Sequence, residues 1–239
     1  MRILVTRPKP DAARQAERLR KLGHEPVLAP LLRIETIRGA RLDLDGIAAL
    51  IATSRNAVRA LTAHPQRDKA VRLPLFAVGE ATANAASELG FSDITTGPGT
   101  GEELAAVIVE RSKGGATVLH ISGDTAAFDL KAALAARGLK VRQPVLYRSV
   151  PARALPSAVI AAIKDGSLDG VILMSPRTGA TYSNLVAKHG LEGRVSQVIC
   201  YCLSQAVAQT VEPLGARLVV AAHPREEDVL ALLAAEAAS

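Results

Sequence analysis

Short apolar runs alternate with amphipathic stretches along almost the whole chain. Ile3–Val5 reads as a strand and Pro10–Leu22 as a helix closed by Gly23. Val27–Leu32 is strand-like, Gly46–Ala52 carries a buried strand and Arg55–Ala63 a helix. Leu75–Val78 predicts a strand, Glu80–Leu89 a helix with Gly90 as its cap, and Gly101–Arg111 another helix. Thr117–Ile121 reads as a strand, Ala126–Arg137 as a helix capped by Gly138, and Val141–Tyr147 as extended. The C-terminal third continues with Leu155–Lys164 (helix), Gly170–Met174 (strand), Thr178–His189 (helix) and Val198–Leu203 (strand). Gln205–Leu214 (helix capped by Gly215), Arg217–Ala221 (strand) and Glu226–Ala235 (helix) complete it. Strands separated by helical patterns predict parallel α/β sheets with right-handed crossovers.

The pattern repeats internally. Ile3-Leu4-Val5, its helix and Pro26–Leu31 parallel Val118-Leu119-His120, a helix ending at Gly138, and Val141–Leu146. Ile47–Val58 parallels Leu168–Gly179, with Ser54 opposite Ser175. Phe76–Gly79 and its helix parallel Tyr201–Ser204 and its helix. Two copies of one α/β unit are expected. The copies need not be contiguous: one compact arrangement compatible with the repeat groups residues 40–143 together, and residues 1–32 with 151–239. Arg33–Gly39 and Pro144–Val150 then cross between them. A single large sheet is the alternative.

With 239 residues the chain allows one large domain or two small ones. Apolar residues make up 49 %, which excludes intrinsic disorder as the main state. No apolar run approaches the ~20 residues of a membrane span, and Met1–Thr6 reads as a strand, not a secretory leader. Cys200 and Cys202 share a strand face at the far limit of disulfide geometry, so free thiols and a reducing cytoplasm are expected. The net charge of +6 suits either a solvated surface of positive bias or a small polyanionic ligand. Aromatics are only 3 % and no basic run occurs, which argues against nucleic acid.

Ligands of such sheets sit beyond the carboxyl ends of the strands. That places Thr6-Arg7, Thr53-Ser54, Gly79-Glu80, Ser122-Gly123-Asp124, Ser175-Pro176 and Ser204-Gln205 in candidate positions. Hydroxyls and free backbone N–H groups there suit carboxylates or phosphates, or serve simply as helix caps. Gly97–Gly101 lacks the ending of a P-loop and leads into a helix. His24, His64, His120, His189 and His223 show no metal spacing; His120 reads as a satisfied core histidine and the others as surface or loop residues. Hydrolase elbows and zinc motifs are lacking.

Gathered in order, these residues resemble the uroporphyrinogen-III synthase family. The resemblance rests on Ile3–Pro8, on Leu22–Pro26 with Ala29–Leu32, and on Thr53-Ser54-Arg55-Asn56-Ala57-Val58. Ala77–Ala83, Gly138 with Val145–Arg148, and Met174-Ser175-Pro176 extend it across essentially the whole chain. It implies the grouping of 40–143 and of 1–32 with 151–239, as two flavodoxin-like parallel-sheet domains related by duplication, joined by a two-segment linker. It also implies a cyclising lyase of tetrapyrrole (heme) biosynthesis, monomeric and cytoplasmic, with no metal or organic cofactor.

The implied substrate is hydroxymethylbilane, whose eight carboxylates suit a positive protein. Ring A loses its hydroxyl as water. Ring D attacks through its substituted carbon, and a spiro intermediate reopens with that ring inverted, in a cleft between the domains. Carried over by position, Tyr147 is the candidate acid. Thr6, Ser54, Thr82, Ser122 and Ser175 become contacts, Gly79 and Gly123 allow close backbone approach, and Arg7, Arg55 and Arg177 add positive potential. The resemblance implies no membrane or nucleic-acid partner, and transient contact with the preceding pathway enzyme. Two departures stand out: Ala52 replaces an aromatic residue, and Ser204–Ala208 lacks the threonine of the second "GxxTA". The latter favours the rival class, a non-catalytic two-domain binder of an anionic small molecule. A nucleotide-dependent enzyme would need a phosphate motif that the chain lacks.

Overall fold

The computed structural model of the chain describes residues 1–112, 114–125 and 128–237. It divides into two compact units, Met1–Arg33 with Val150–Ser239, and Ile34–Ser149. The first strand, β1 (Arg2–Val5), leads through α1 (Asp11–Lys21) to β2 (Glu25–Leu28). The chain then passes along β3 (Leu32–Thr36) into the second unit. There follow β4 (Ala49–Ala52), α2 (Arg55–Leu61), the short α3 (Arg67–Ala70) and β5 (Leu75–Ala77). Next come α4 (Glu80–Leu89), β6 (Ile94–Thr96), α5 (Gly101–Arg111) and β7 (Thr117–Gly123). After α6 (Leu130–Ala135) and β8 (Lys140–Arg142), β9 (Val145–Pro151) returns to the first unit. That unit is completed by α7 (Ser157–Lys164), β10 (Gly170–Leu173), α8 (Pro176–Lys188) and α9 (Glu192–Val195). The last elements are β11 (Ile199–Cys202), α10 (Gln205–Ala208), a 3₁₀ turn at Glu212–Leu214, β12 (Leu218–Val220) and α11 (Glu226–Ala237).

The first unit carries a parallel sheet in the order β12-β11-β10-β1-β2. In the second, parallel pairs build β6-β5-β4-β7, with both β8 and β9 on the far side of β7. Matching β1 with β7, β2 with β8, β10 with β4, β11 with β5 and β12 with β6 superposes the two orders. This is the duplication that the sequence pattern predicts, in the doubly wound order whose switch point lies between the first and third strands. The switch point falls between β1 and β10 in one unit and between β7 and β4 in the other.

Each sheet is covered on both faces, because its central strands β1, β4, β7 and β10 are largely apolar and buried. In the second unit Leu50, Ala52, Leu119 and Ile121 pack with Val58 and Leu61 of α2 and with Ala86 and Leu89 of α4. Ile51, Phe76 and Val118 face the other way, onto Leu104 and Ile108 of α5 and Leu130 and Leu134 of α6. The first unit repeats this, with Leu4, Val171 and Leu173 against Tyr182 and Val186, and Ile3, Val5 and Ile172 against Leu19, Val229 and Leu233.

Helix starts follow their caps. Ser54, Thr100, Asp129 and Ser175 each accept a backbone N–H from the first turn. Gly90 closes α4 at φ 113°, a left-handed conformation that favours glycine.

Several expected elements differ for identifiable reasons. The Val27–Leu32 strand is two strands, interrupted at Pro30, and Val141–Tyr147 divides at Pro144; proline has no N–H for a ladder. The Gln205–Leu214 helix stops after Ala208, since Pro213 would clash with the carbonyl four residues earlier. The expected helix Ala126–Arg137 begins only at Leu130, behind its Asp129 cap; Ala126 and Ala127 lie outside the described residues. The edge strand β6 and the four-residue helices α3 and α9 carry too few periodic positions to be read from sequence.

Candidate active site

The β4–β7 register aligns Ala52 with Ile121, so Thr53 and Ser54 leave one strand beside Ser122 and Gly123 on the other. Both pairs stand at the switch point. Ser54 is extended and caps α2, its Oγ accepting the Ala57 N–H at 3.2 Å. The same Oγ lies 2.8 Å from the Tyr147 hydroxyl. β9 brings Tyr147 there by pairing it with Gly123, through an irregularity at Ser122/Gly123. A Cβ on Gly123 would stand 2.7 Å from two ring carbons of Tyr147. Glycine here makes room for the tyrosine ring.

Tyr147 is 8 % exposed. Burial raises its pKa above the ordinary tyrosine value, the Ser54 hydrogen bond works against this, and the Asp124 carboxylate adds to it. Asp124 also donates its N–H to the Tyr147 carbonyl at 3.0 Å, and its carboxylate accepts the Ser149 N–H at 3.0 Å. The hydroxyl therefore remains protonated at neutral pH, as a proton donor requires.

Around this pair the remaining candidates are placed unequally. Ser122 is buried and its hydroxyl donates to the Pro144 carbonyl at 3.1 Å. Thr82 is buried in the first turn of α4. Gly79 precedes that helix with an ordinary extended backbone, and a Cβ there would meet its nearest atom, Gly99 Cα, at 3.5 Å. The tight approach expected at Gly79 is thus not required by the protein's own packing. Arg55 stands half-buried in the first turn of α2.

The first unit holds the corresponding set at its own switch point. Thr6 is fully buried, and its hydroxyl donates to the Ile172 carbonyl at 2.6 Å, tying β1 to β10. Ser175 caps α8 and lies 2.8 Å from the Thr178 hydroxyl. Arg177 is half-buried in the first turn of that helix. Arg7 reaches Glu226 at 2.7 Å and Asp11 at 3.4 Å. Two carboxylates therefore balance the positive charge expected of Arg7.

Thr53 and His120, which nothing in the sequence connects, form a second pair at the β4–β7 switch point, with Nε2 of the histidine 3.1 Å from Thr53 Oγ1. Only a lone polar residue inside the strand pattern hinted at it.

The family described as uroporphyrinogen-III synthase HemD matches residues 13–231. The chain belongs to the uroporphyrinogen-III synthase family. Porphyrin biosynthesis protein HemD of Ruminiclostridium josui is 26 % identical over 92 % of this chain. The chain spans 45 % of that relative's length. Two solved structures share the fold at 18 % identity. Uroporphyrinogen-III synthetase from Helicobacter pylori gives a TM-score of 0.66, covering 98 % of each chain. A mutant uroporphyrinogen III synthase from Thermus thermophilus gives 0.61, covering 100 % of this chain and 98 % of its own.

Within this family fold, His24 lies in the loop between α1 and β2, where it is buried, and burial lowers its pKa. The expectation of a fully satisfied core histidine needs correction. His120 is only half satisfied: Nε2 meets Thr53, but Nδ1 has no partner among the described residues. The two cysteines are free and buried on one sheet face. Burial pushes the thiols of Cys200 and Cys202 up to about 12 and about 11. Among the described residues no group of three or more His, Cys, Asp or Glu could hold a metal ion, and no helix is long and apolar enough to cross a membrane.

Proposed function

We propose that this chain is a uroporphyrinogen-III synthase, closing hydroxymethylbilane to uroporphyrinogen III with inversion of ring D and loss of water. The observation that carries the mechanism is the Tyr147 hydroxyl at 2.8 Å from Ser54 Oγ, at the carboxyl ends of β4 and β7. Tyr147 donates its proton to the departing hydroxyl of ring A, and the C–O bond breaks to release water and an azafulvenium cation. Ring D attacks that carbon through its substituted position. The spiro intermediate fragments and rejoins with the ring inverted. The proton shed when ring D regains aromaticity restores the tyrosine. Ser54 holds the hydroxyl in place, since its own position is set by the α2 cap.

Most of the acceleration comes from positioning a flexible substrate, with general acid catalysis added to it. Ser54, Arg55, Gly79, Thr82, Ser122 and Gly123 serve the substrate in one unit, and Thr6, Arg7, Ser175 and Arg177 in the other. Thr6, Thr82 and Ser122 are buried, so their part is to shape the strand ends and first turns from which backbone N–H groups meet carboxylates. Arg7 contributes charge only on leaving Glu226. The protein acts as a monomer in the cytoplasm, taking the unstable bilane from the enzyme that makes it through transient contact.

The test is product identity. Hydroxymethylbilane generated enzymatically closes by itself to the type I isomer. Catalytic amounts of this protein, without added metal or nucleotide, are expected to yield mostly type III after oxidation and chromatography. A product that stays type I with folded protein present would leave the binding-module reading instead.

A further inference from the structure

His120 lies inside β7, 1 % exposed, paired in register with Ile51. Paired residues of a parallel ladder point to one face, and Thr53 is two residues beyond Ile51, so Thr53 and His120 meet on the α5–α6 side of the sheet. Tyr147 and Ser54 meet on the α2–α4 side. The switch point therefore carries two hydroxyl sites on opposite faces of the strand ends, and the proposed mechanism uses only one.

The chemistry of the second site follows from one unpartnered atom. Burial lowers the pKa of His120 to about 4, so the ring is neutral and carries a single N–H. With the proton on Nδ1, a buried donor would be stranded without an acceptor. With the proton on Nε2, the ring donates to Thr53 Oγ1 and only a lone pair is left alone. Orphaned buried N–H groups are the rarer and more expensive outcome. Once Thr53 Oγ1 accepts from the ring, its own proton is free to donate elsewhere, and Thr53 is only partly buried.

We infer that His120 is a positioning residue, held as the Nε2–H tautomer, which leaves the Thr53 hydroxyl proton free to donate to a carboxylate of the substrate. This rests on the synthase reading for the identity of the carboxylate, but not for the tautomer.

Two measurements test it separately from turnover. Long-range nitrogen–proton correlation spectra of the labelled protein are expected to show the Nε2–H tautomer for His120; the Nδ1–H pattern would overturn the inference. The oxidised product, a fluorescent octacarboxylate porphyrin, is then titrated against wild type and variants. Thr53→Val is expected to weaken binding about tenfold, the scale of one hydrogen bond to a charged group, with Thr53→Ser close to wild type. His120→Leu should weaken it comparably, and His120→Gln, whose amide nitrogen reaches the Nε2 position, should restore it. In turnover the same losses should appear in KM more than in kcat. Equal affinity of wild type and Thr53→Val, or no binding by wild type, would overturn the assignment. Failure to form type III product while these affinities behave as stated would instead remove the synthase reading.

Discussion

The Tyr147 hydroxyl and Ser54 Oγ are 2.8 Å apart, although the two residues lie 93 positions apart in the chain. Ser54 simultaneously caps α2. The helix start, the strand end and the proposed acid are thus one hydrogen-bonded unit. Replacing Ser54 with Ala should cost about 1 kcal/mol from the cap alone and lower turnover by loosening the tyrosine. Thermal melts and steady-state kinetics on the same preparation separate the two effects.

Removing the hydroxyl itself is the sharper test of catalysis. Tyr147→Phe keeps the ring over Gly123 and is expected to fold normally. Turnover should fall by about 10²-fold, the lower end of general acid catalysis, because water partly substitutes. The raised pKa sets the sign of the pH effect. The acid is active when protonated, so its contribution persists through neutral pH and disappears only above the ordinary tyrosine value. A pH–rate profile that loses this contribution below pH ~9 would assign the proton to another group.

Gly123→Ala places a methyl group 2.7 Å from the Tyr147 ring, in a strand that cannot retreat from its neighbours. Overpacking of this kind costs about 1–3 kcal/mol and shifts the ring. Chemical denaturation should show the loss, and activity should fall further than Tyr147→Phe alone, because the whole ring moves.

His120 supplies a stability signature. Its pKa is about 4 in the folded protein against the ordinary 6.5, so the unfolded chain binds a proton that the folded chain refuses. Stability from this group is fully present above pH 6.5 and is lost as pH falls toward 4, amounting to about 3 kcal/mol. The difference in melting temperature between wild type and His120→Gln should therefore narrow from about pH 7 to about pH 4.5. A difference independent of pH would contradict a neutral buried imidazole.

Cys200 and Cys202 are at most 1 % exposed with strongly raised thiol pKa values. An aromatic disulfide reagent at about pH 8 should titrate no thiol in the native protein and both after denaturation.

Elements governed by local rules were readable from the chain alone. The helices Glu80–Leu89 and Gly101–Arg111 lie where periodicity and their glycine or threonine boundaries place them. The duplication likewise follows from a repeated pattern of buried strands and crossover helices, while the strand order within each copy came from the structure. Tyr147 and Ser54 were both legible as candidates, but only as separate positions next to turns.

What the amino-acid sequence by itself determined is the α/β class, the duplication, the turns that gather at the strand ends, and family membership. These depend on periodicity, capping and motif order, which are properties of neighbouring residues. Only the tertiary structure decided that Gly123 yields its space to Tyr147, that Arg7 is balanced by Glu226, and that His120 turns to Thr53 on the opposite face from Ser54. Each of those relationships joins residues 24 to 219 positions apart. They are set by strand register and by which face of the sheet a side chain leaves, and a pairing between distant strands has no local signal.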